Sequence, residues 1–147
     1  MAVIGAGVSL RGLHQEDFMY TFLISGSVVA ADVGKAVTLD TSVANTMKLA
    51  GDGDPIYDRL ETFENRIQEG IKVGAVSTKG GLKFPTGDGE TVNVGDEIQG
   101  DGAGAVKAVV PYVDTDGSGD PVVNATTHQK MNYVVEVGSG FVIAVLR

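Results

Sequence analysis

Glycine and aspartate interrupt this chain so often that most uninterrupted segments are short, and within them apolar residues tend to alternate with polar ones. The 21 glycines in 147 residues are about twice the usual share. Such a chain has room for many tight turns and short strands, and little room for long helices. Candidate strands fall at 35–39, 46–49, 56–64, 71–78, 82–84, 91–94, 97–99, 105–110, 122–124, 132–137 and 141–146. Turn residues separate most of them, notably Gly51-Asp52-Gly53-Asp54-Pro55, Lys79-Gly80-Gly81, Pro85-Thr86-Gly87-Asp88-Gly89 and Gly100-Asp101-Gly102-Ala103-Gly104. The pattern predicts a mainly β fold, a small β-barrel or β-sandwich.

The clearest hairpin is the last, because Tyr133 to Val137 and Phe141 to Leu146 flank Gly138-Ser139-Gly140. A glycine-bearing three-residue loop supplies the positive φ that such hairpins need. A second hairpin is expected between Arg59 and Gly74, where Leu60 and Phe63 precede Gly70, Ile71 and Val73. The same stretch also fits a helix. Asp54 and Pro55 would be its N-cap and first residue, Ile56, Leu60, Phe63 and Ile67 its apolar face, and Gly70 its stop.

Residues 1–17 mix small residues with isolated apolar ones at no sustained period, and read as an extended N-terminal arm. Residues 18–147 then form a single β domain, of ordinary size for one modest core. Phe18 to Ile24 opens it as an aromatic, β-branched strand. Phe18, Tyr20 and Phe22 share one face of that strand, which suits either an ordinary core strand or a strand added to a neighbour's sheet. With Leu10 and Leu13 of the arm they are the candidate partner-binding residues.

Nineteen acidic against 11 basic side chains leave a formal charge of −8, and no run of Lys or Arg could neutralise adjacent phosphates. A direct nucleic-acid contact face is disfavoured. Cysteine is absent, which excludes disulfides and thiolate chemistry. The uncharged run at 18–31 is 14 residues long, short of the roughly 20 needed to span a bilayer, so no membrane partner is expected. The N-terminus has no basic region followed by an apolar core, and folding in the cytoplasm is expected.

No set of residues reads as a catalytic, cofactor-binding or metal-binding site. Asp114-Thr115-Asp116-Gly117-Ser118 opens like a calcium loop, but the twelfth position, where an EF-hand places a bidentate Glu, is Ala125. Gly5-Ala6-Gly7 lacks the preceding strand and following helix of a dinucleotide site. His14 and His128 are the only histidines, and neither sits in a nucleophile or metalloprotease motif. Thr46-Met47-Lys48-Leu49 resembles the Met-Lys hairpin of biotinyl carriers, yet Lys48 precedes the expected turn at Gly51 to Asp54 instead of occupying it. The expected class is a non-enzymatic binding protein.

The order of these elements resembles the phage capsid cement, or head-decoration, proteins. The likeness runs through Val37-Thr38-Leu39-Asp40, Met47-Lys48-Leu49-Ala50-Gly51-Asp52-Gly53-Asp54-Pro55-Ile56, Gly70-Ile71-Lys72-Val73-Gly74, Val94-Gly95-Asp96-Glu97-Ile98 and the C-terminal hairpin. It covers residues 34–147 and favours strand over helix at 55–69. It implies a homotrimer bound to the major capsid protein on the outer surface of the phage head, stabilising the assembled, expanded shell. The alternative expectation is a virion-surface carbohydrate-binding module with no effect on capsid stability.

Overall fold

A computed structural model of the chain describes residues 19–110, 114, 115, 118, 121, 122 and 130–147. The expected arm at 1–17, with Leu10, Leu13 and His14, lies outside the described residues, as do Phe18 and His128. Of the acidic run after residue 113, what is described is a two-residue ladder that pairs Asp114–Thr115 (β10) with Pro121–Val122 (β11).

The fold is mainly β, and its first half is a closed barrel. Strands Met19–Ile24 (β1), Ala36–Leu39 (β2), Thr46–Leu49 (β3), Asp58–Leu60 (β4) and Ile71–Ser77 (β6) are paired in the cyclic order β1-β3-β2-β4-β6. Antiparallel pairing of Met19 to Leu23 with Val73 to Ser77 closes the ring, and β1 meets β3 in parallel at Leu23 and Ile24. Glu64–Arg66 (β5) hangs on the outer part of β6 as a hairpin arm.

The barrel interior follows from the two-residue period of strands. Ile24, Val37, Met47, Leu60 and Val76 are buried there with Val28, and Phe22, Leu49 and Phe63 pack against them. Gly74 takes one inward position because a Cβ there would lie 2.5 Å from the Thr62 carbonyl oxygen and 2.9 Å from Leu60 Cδ1. Asp32 closes the loop before β2: its carboxylate accepts hydrogen bonds from Val29 N–H at 2.9 Å and Lys35 Nζ at 2.8 Å.

The second half builds its own core. Gly80–Pro85 (β7), Asn132–Gly138 (β12) and Phe141–Leu146 (β13) form an antiparallel sheet in the order β12-β13-β7, and Ile98–Gly102 (β8) with Ala105–Ala108 (β9) forms a separate hairpin. Leu82, Phe84, Val106, Val134, Val142 and Ala144 are fully or almost fully buried between them. Each large side chain so buried contributes roughly 1.5–3 kcal/mol.

The two cores meet across β2, whose successive residues Ala36 and Val37 are both fully buried, one in each core. The approach depends on small residues. Ala36 N–H donates to Gly104 O at 2.9 Å, Gly104 N–H to Ala50 O at 3.0 Å, and Ala50 N–H to Ala36 O at 3.0 Å. A Cβ on Gly104 would stand 2.7 Å from Lys35 Cβ, so only glycine lets the hairpin backbone come this near.

Three expectations need correction. Residues 56–64 are neither one strand nor a helix: β4 ends at Leu60 and β5 starts at Glu64. Glu61 and Thr62 N–H both donate to Ala75 O, and Ala75 N–H donates to Thr62 Oγ1, which breaks the ladder there. Asp54 does not cap a helix, because its Oδ2 accepts from Gly51 N–H behind it at 2.9 Å. The only helical piece nearby is a 3-10 turn at Ile67–Glu69, stopped by Gly70 with φ +69°.

Residues 91–94 form no strand. A strand would put Val92 and Val94 on one face, yet Val92 is buried and Val94 exposed, because Asn93 N–H donates to Asp96 Oδ2 at 2.8 Å and the chain turns before any ladder forms. The C-terminal hairpin is present with a shorter loop than expected. Gly138 pairs with Phe141, leaving Ser139-Gly140 as the turn, and Gly140 holds φ +73°.

Candidate functional site

The β5–β6 hairpin projects past the barrel because β5 pairs only the first residues of β6 and has no second neighbour among the described residues. All three residues of β5 are exposed. Arg66 braces the tip through Glu64 at 3.2 Å and Glu69 at 3.6 Å, and the Glu64 hydrogen bond is the main reason its guanidinium is held above its usual pKa. The 3-10 turn then lifts Ile67 into solvent at 80% exposure. A β-branched apolar side chain so placed buries little of its surface against the described residues.

Facing the hairpin is the loop between β2 and β3. Asp40 shapes it: Oδ1 accepts from Ser42 N–H at 3.0 Å and from Ser42 Oγ at 2.6 Å, which holds the Asp40 carboxyl below its ordinary pKa. Asn45 takes the left-handed conformation at φ +55°, and Val43 is left exposed at the loop crest. Between hairpin and loop lies an open groove of about 540 Å³, with Leu23, Val43, Ile67 and Ile71 as apolar lining and Thr46 and Asn65 as polar lining. Lys72, also on its wall, donates to Val28 O at 2.7 Å and ties down the loop after β1.

The residues expected to bind a partner divide. Leu10, Leu13 and Phe18 lie outside the described residues. Phe22 is half-buried against the barrel core, while Tyr20, on the same strand face, is 58% exposed. Leu23, on the opposite face of β1, is the strand residue that reaches the groove with Ile24. Ile67 and Ile71 were not legible as surface residues, since Ile67 fits the apolar face of a helix and Ile71 opens a candidate strand, and Val43 lies between two candidate strands with nothing to mark it; the one local signal was Gly70 immediately before Ile71.

Other polar clusters are structural or isolated. Lys48 lies within β3 opposite Thr38, with Asp54 at 3.6 Å. Asp58 is 6% exposed with no hydrogen bond from a described residue, and burial pushes its carboxyl up to about 6. A smaller pocket of about 370 Å³ opens between Tyr57, Gln99 and Met131. Among the described residues no group of three or more His, Asp or Glu is arranged to hold a metal ion, and no helix is long and apolar enough to cross a membrane. No family model, curated protein or solved structure matches the chain.

Proposed function

We propose that this protein is a decoration subunit of a phage head, which binds the major capsid protein on the outer face of the expanded shell and holds that state together. The observation that carries the reading is the groove between the β2–β3 loop and the β5–β6 hairpin, where a largely exposed Ile67 stands beside Leu23, Val43 and Ile71. Apolar side chains gathered on one exposed face mark a contact surface. The sequence likeness over residues 34–147 is what supports the major capsid protein as the partner.

The mechanism is linkage. A subunit that binds only the assembled, expanded lattice lowers the free energy of that state relative to all others, without any covalent step. About 1,600 Å² of contact is a standard specific interface, and repetition over many equivalent sites multiplies a modest local effect. Trimer formation places three such grooves on one particle. The charge of −8 disfavours the DNA-facing side and favours the outside.

Sedimentation of the purified protein with empty expanded heads tests the proposal. Wild type is expected to pellet with heads and raise their resistance to heat, and Ile67→Glu to remain in the supernatant. Wild type that stays soluble across a range of salt overturns the reading. Retention on glycans with no change in head stability replaces it with a carbohydrate-binding role.

A further inference from the structure

A second cleft, of about 440 Å³, lies on the seam between barrel and sheet. Lys35 and Arg59 enter it from the barrel side, Lys83 and Pro85 from β7, and Phe141 from the start of β13. Among the described residues its lining holds three cationic side chains and no carboxylate, in a chain with 19 acids and 11 bases. This reverses the sign of the molecule as a whole.

Each cation is held in place with donor capacity left over. Lys35 gives one hydrogen bond to Asp32 and has two further N–H groups. Arg59 Nη2 donates to Glu61 Oε2 at 3.1 Å, and Nε lies 3.1 Å from Oε1 but off the line of a hydrogen bond, so the Nη1 edge is open. Lys83 has no carboxylate within ion-pair distance among the described residues; its Nζ sits 4.0 Å from the centroid of the Phe141 ring.

That ring position is itself built. Gly138 pairs with Phe141 across the hairpin, and a Cβ on Gly138 would stand far inside contact distance of both Cε1 and Cζ of the ring. The glycine is needed here for space, since its φ is not positive. The ring therefore lies against bare backbone and offers a fixed face to Lys83.

We propose that this cleft binds the carboxylate of a glutamate side chain presented by an extended acidic peptide segment. Lys83, held on the Phe141 ring, and Lys35 supply the charge, the open edge of Arg59 supplies directed donors, and Pro85 with Val33 covers the aliphatic stem. Phosphate fits less well, because the apolar Val33 and Pro85 on the wall can cover the stem of a glutamate and offer nothing to an inorganic anion. The site is separate from the groove beside Ile67, and the proposal does not depend on the decoration role.

The test is fluorescence anisotropy with a short labelled peptide of alternating Glu and Leu, its Gln counterpart, and inorganic phosphate as competitor. The Glu peptide is expected to bind at least about tenfold tighter than the Gln peptide and to weaken as salt rises. Lys83→Met should reduce its affinity about tenfold. Gly138→Ala, which moves the ring without changing any charge, should reduce it several-fold, with folding of both variants checked by thermal melting. Should Lys83→Met fail to fold, Lys83→Gln takes its place. Equal binding of the two peptides, indifference to Lys83, or displacement by phosphate at lower concentration than free Glu peptide each overturns the proposal.

Discussion

The side-chain amide of Asn132 hydrogen-bonds both backbone polar groups of Ile98: Ile98 N–H donates to Oδ1 at 2.8 Å, and Nδ2 donates to Ile98 O at 3.1 Å. Asn132 is buried at the start of β12, where that strand has no ladder to β8. One side chain thus substitutes for a strand pairing and ties the β8–β9 hairpin to the three-stranded sheet.

Asn132→Leu keeps the volume and removes both bonds. It strands the N–H and C=O of Ile98 in a buried site, at about 1–3 kcal/mol for each group. A loss of about 2–4 kcal/mol is expected in urea unfolding at constant m-value. A midpoint equal to wild type would mean that water reaches Ile98.

Asp58 and Asp32 give the stability a pH dependence of opposite sign. Burial raises the Asp58 carboxyl from 3.8 to about 6 in the folded chain, so the folded state holds the proton more tightly than the unfolded one. Its contribution is full below pH 3.8 and is lost as pH rises to about 6, a change on the order of 3 kcal/mol. Asp58→Asn should therefore be more stable than wild type at pH 7 and nearly equal to it at pH 3.5. Burial also opposes ionisation of Asp32, but the Lys35 and Val29 hydrogen bonds outweigh it and hold its pKa below 3.8. That contribution is present at neutral pH and disappears as acid takes the pH down through the lowered value, so Asp32→Asn should cost stability at pH 7 only. Denaturant midpoints measured across pH 3 to 8 check both signs.

Gly74→Ala inserts a methyl group against Thr62 O, Leu60 Cδ1 and Ile24 Cγ1 inside the closed barrel. Overpacking of this type costs about 1–3 kcal/mol. Because the ring of strands resists local expansion, the upper end is expected, with the thermal midpoint falling accordingly. A midpoint unchanged within error would mean that β6 can shift outward freely.

Ile67→Ser should leave stability within about 0.5 kcal/mol of wild type, since the side chain is almost wholly in solvent. Any loss of head binding in this variant then reports on contact and not on folding. A large fall in melting temperature would instead place Ile67 in the packing of the hairpin tip.

Turn chemistry was readable along the chain because it is local. Within the expected turns Gly53, Gly89, Gly102, Gly104 and Gly140 hold positive φ, while Gly51, Gly87, Gly100 and Gly138 do not. The alternation of Met47 with Leu49, and of Val142 with Ala144, likewise marked strand faces correctly. The break after Leu60 was hidden, because Ile56 and Leu60 look like one apolar face yet enter different cores. Residues 91–94 misled for a related reason: Val92 and Val94 look like one strand face, but Asn93 and Asp96 bond to each other and turn the chain, so that Val92 is buried and Val94 exposed.

The order of residues alone determined where the chain turns and which side chains seek an interior, since positive φ and side-chain alternation depend on neighbours one to four positions apart. Tertiary structure decided that β1 closes a barrel by joining β6 and β3, that β2 is buried on both faces, and that Ile67 is left outside. Those outcomes are set by pairings between distant segments, in which a backbone hydrogen bond carries no mark of its partner, and by glycines such as Gly104 whose role appears only when another strand approaches.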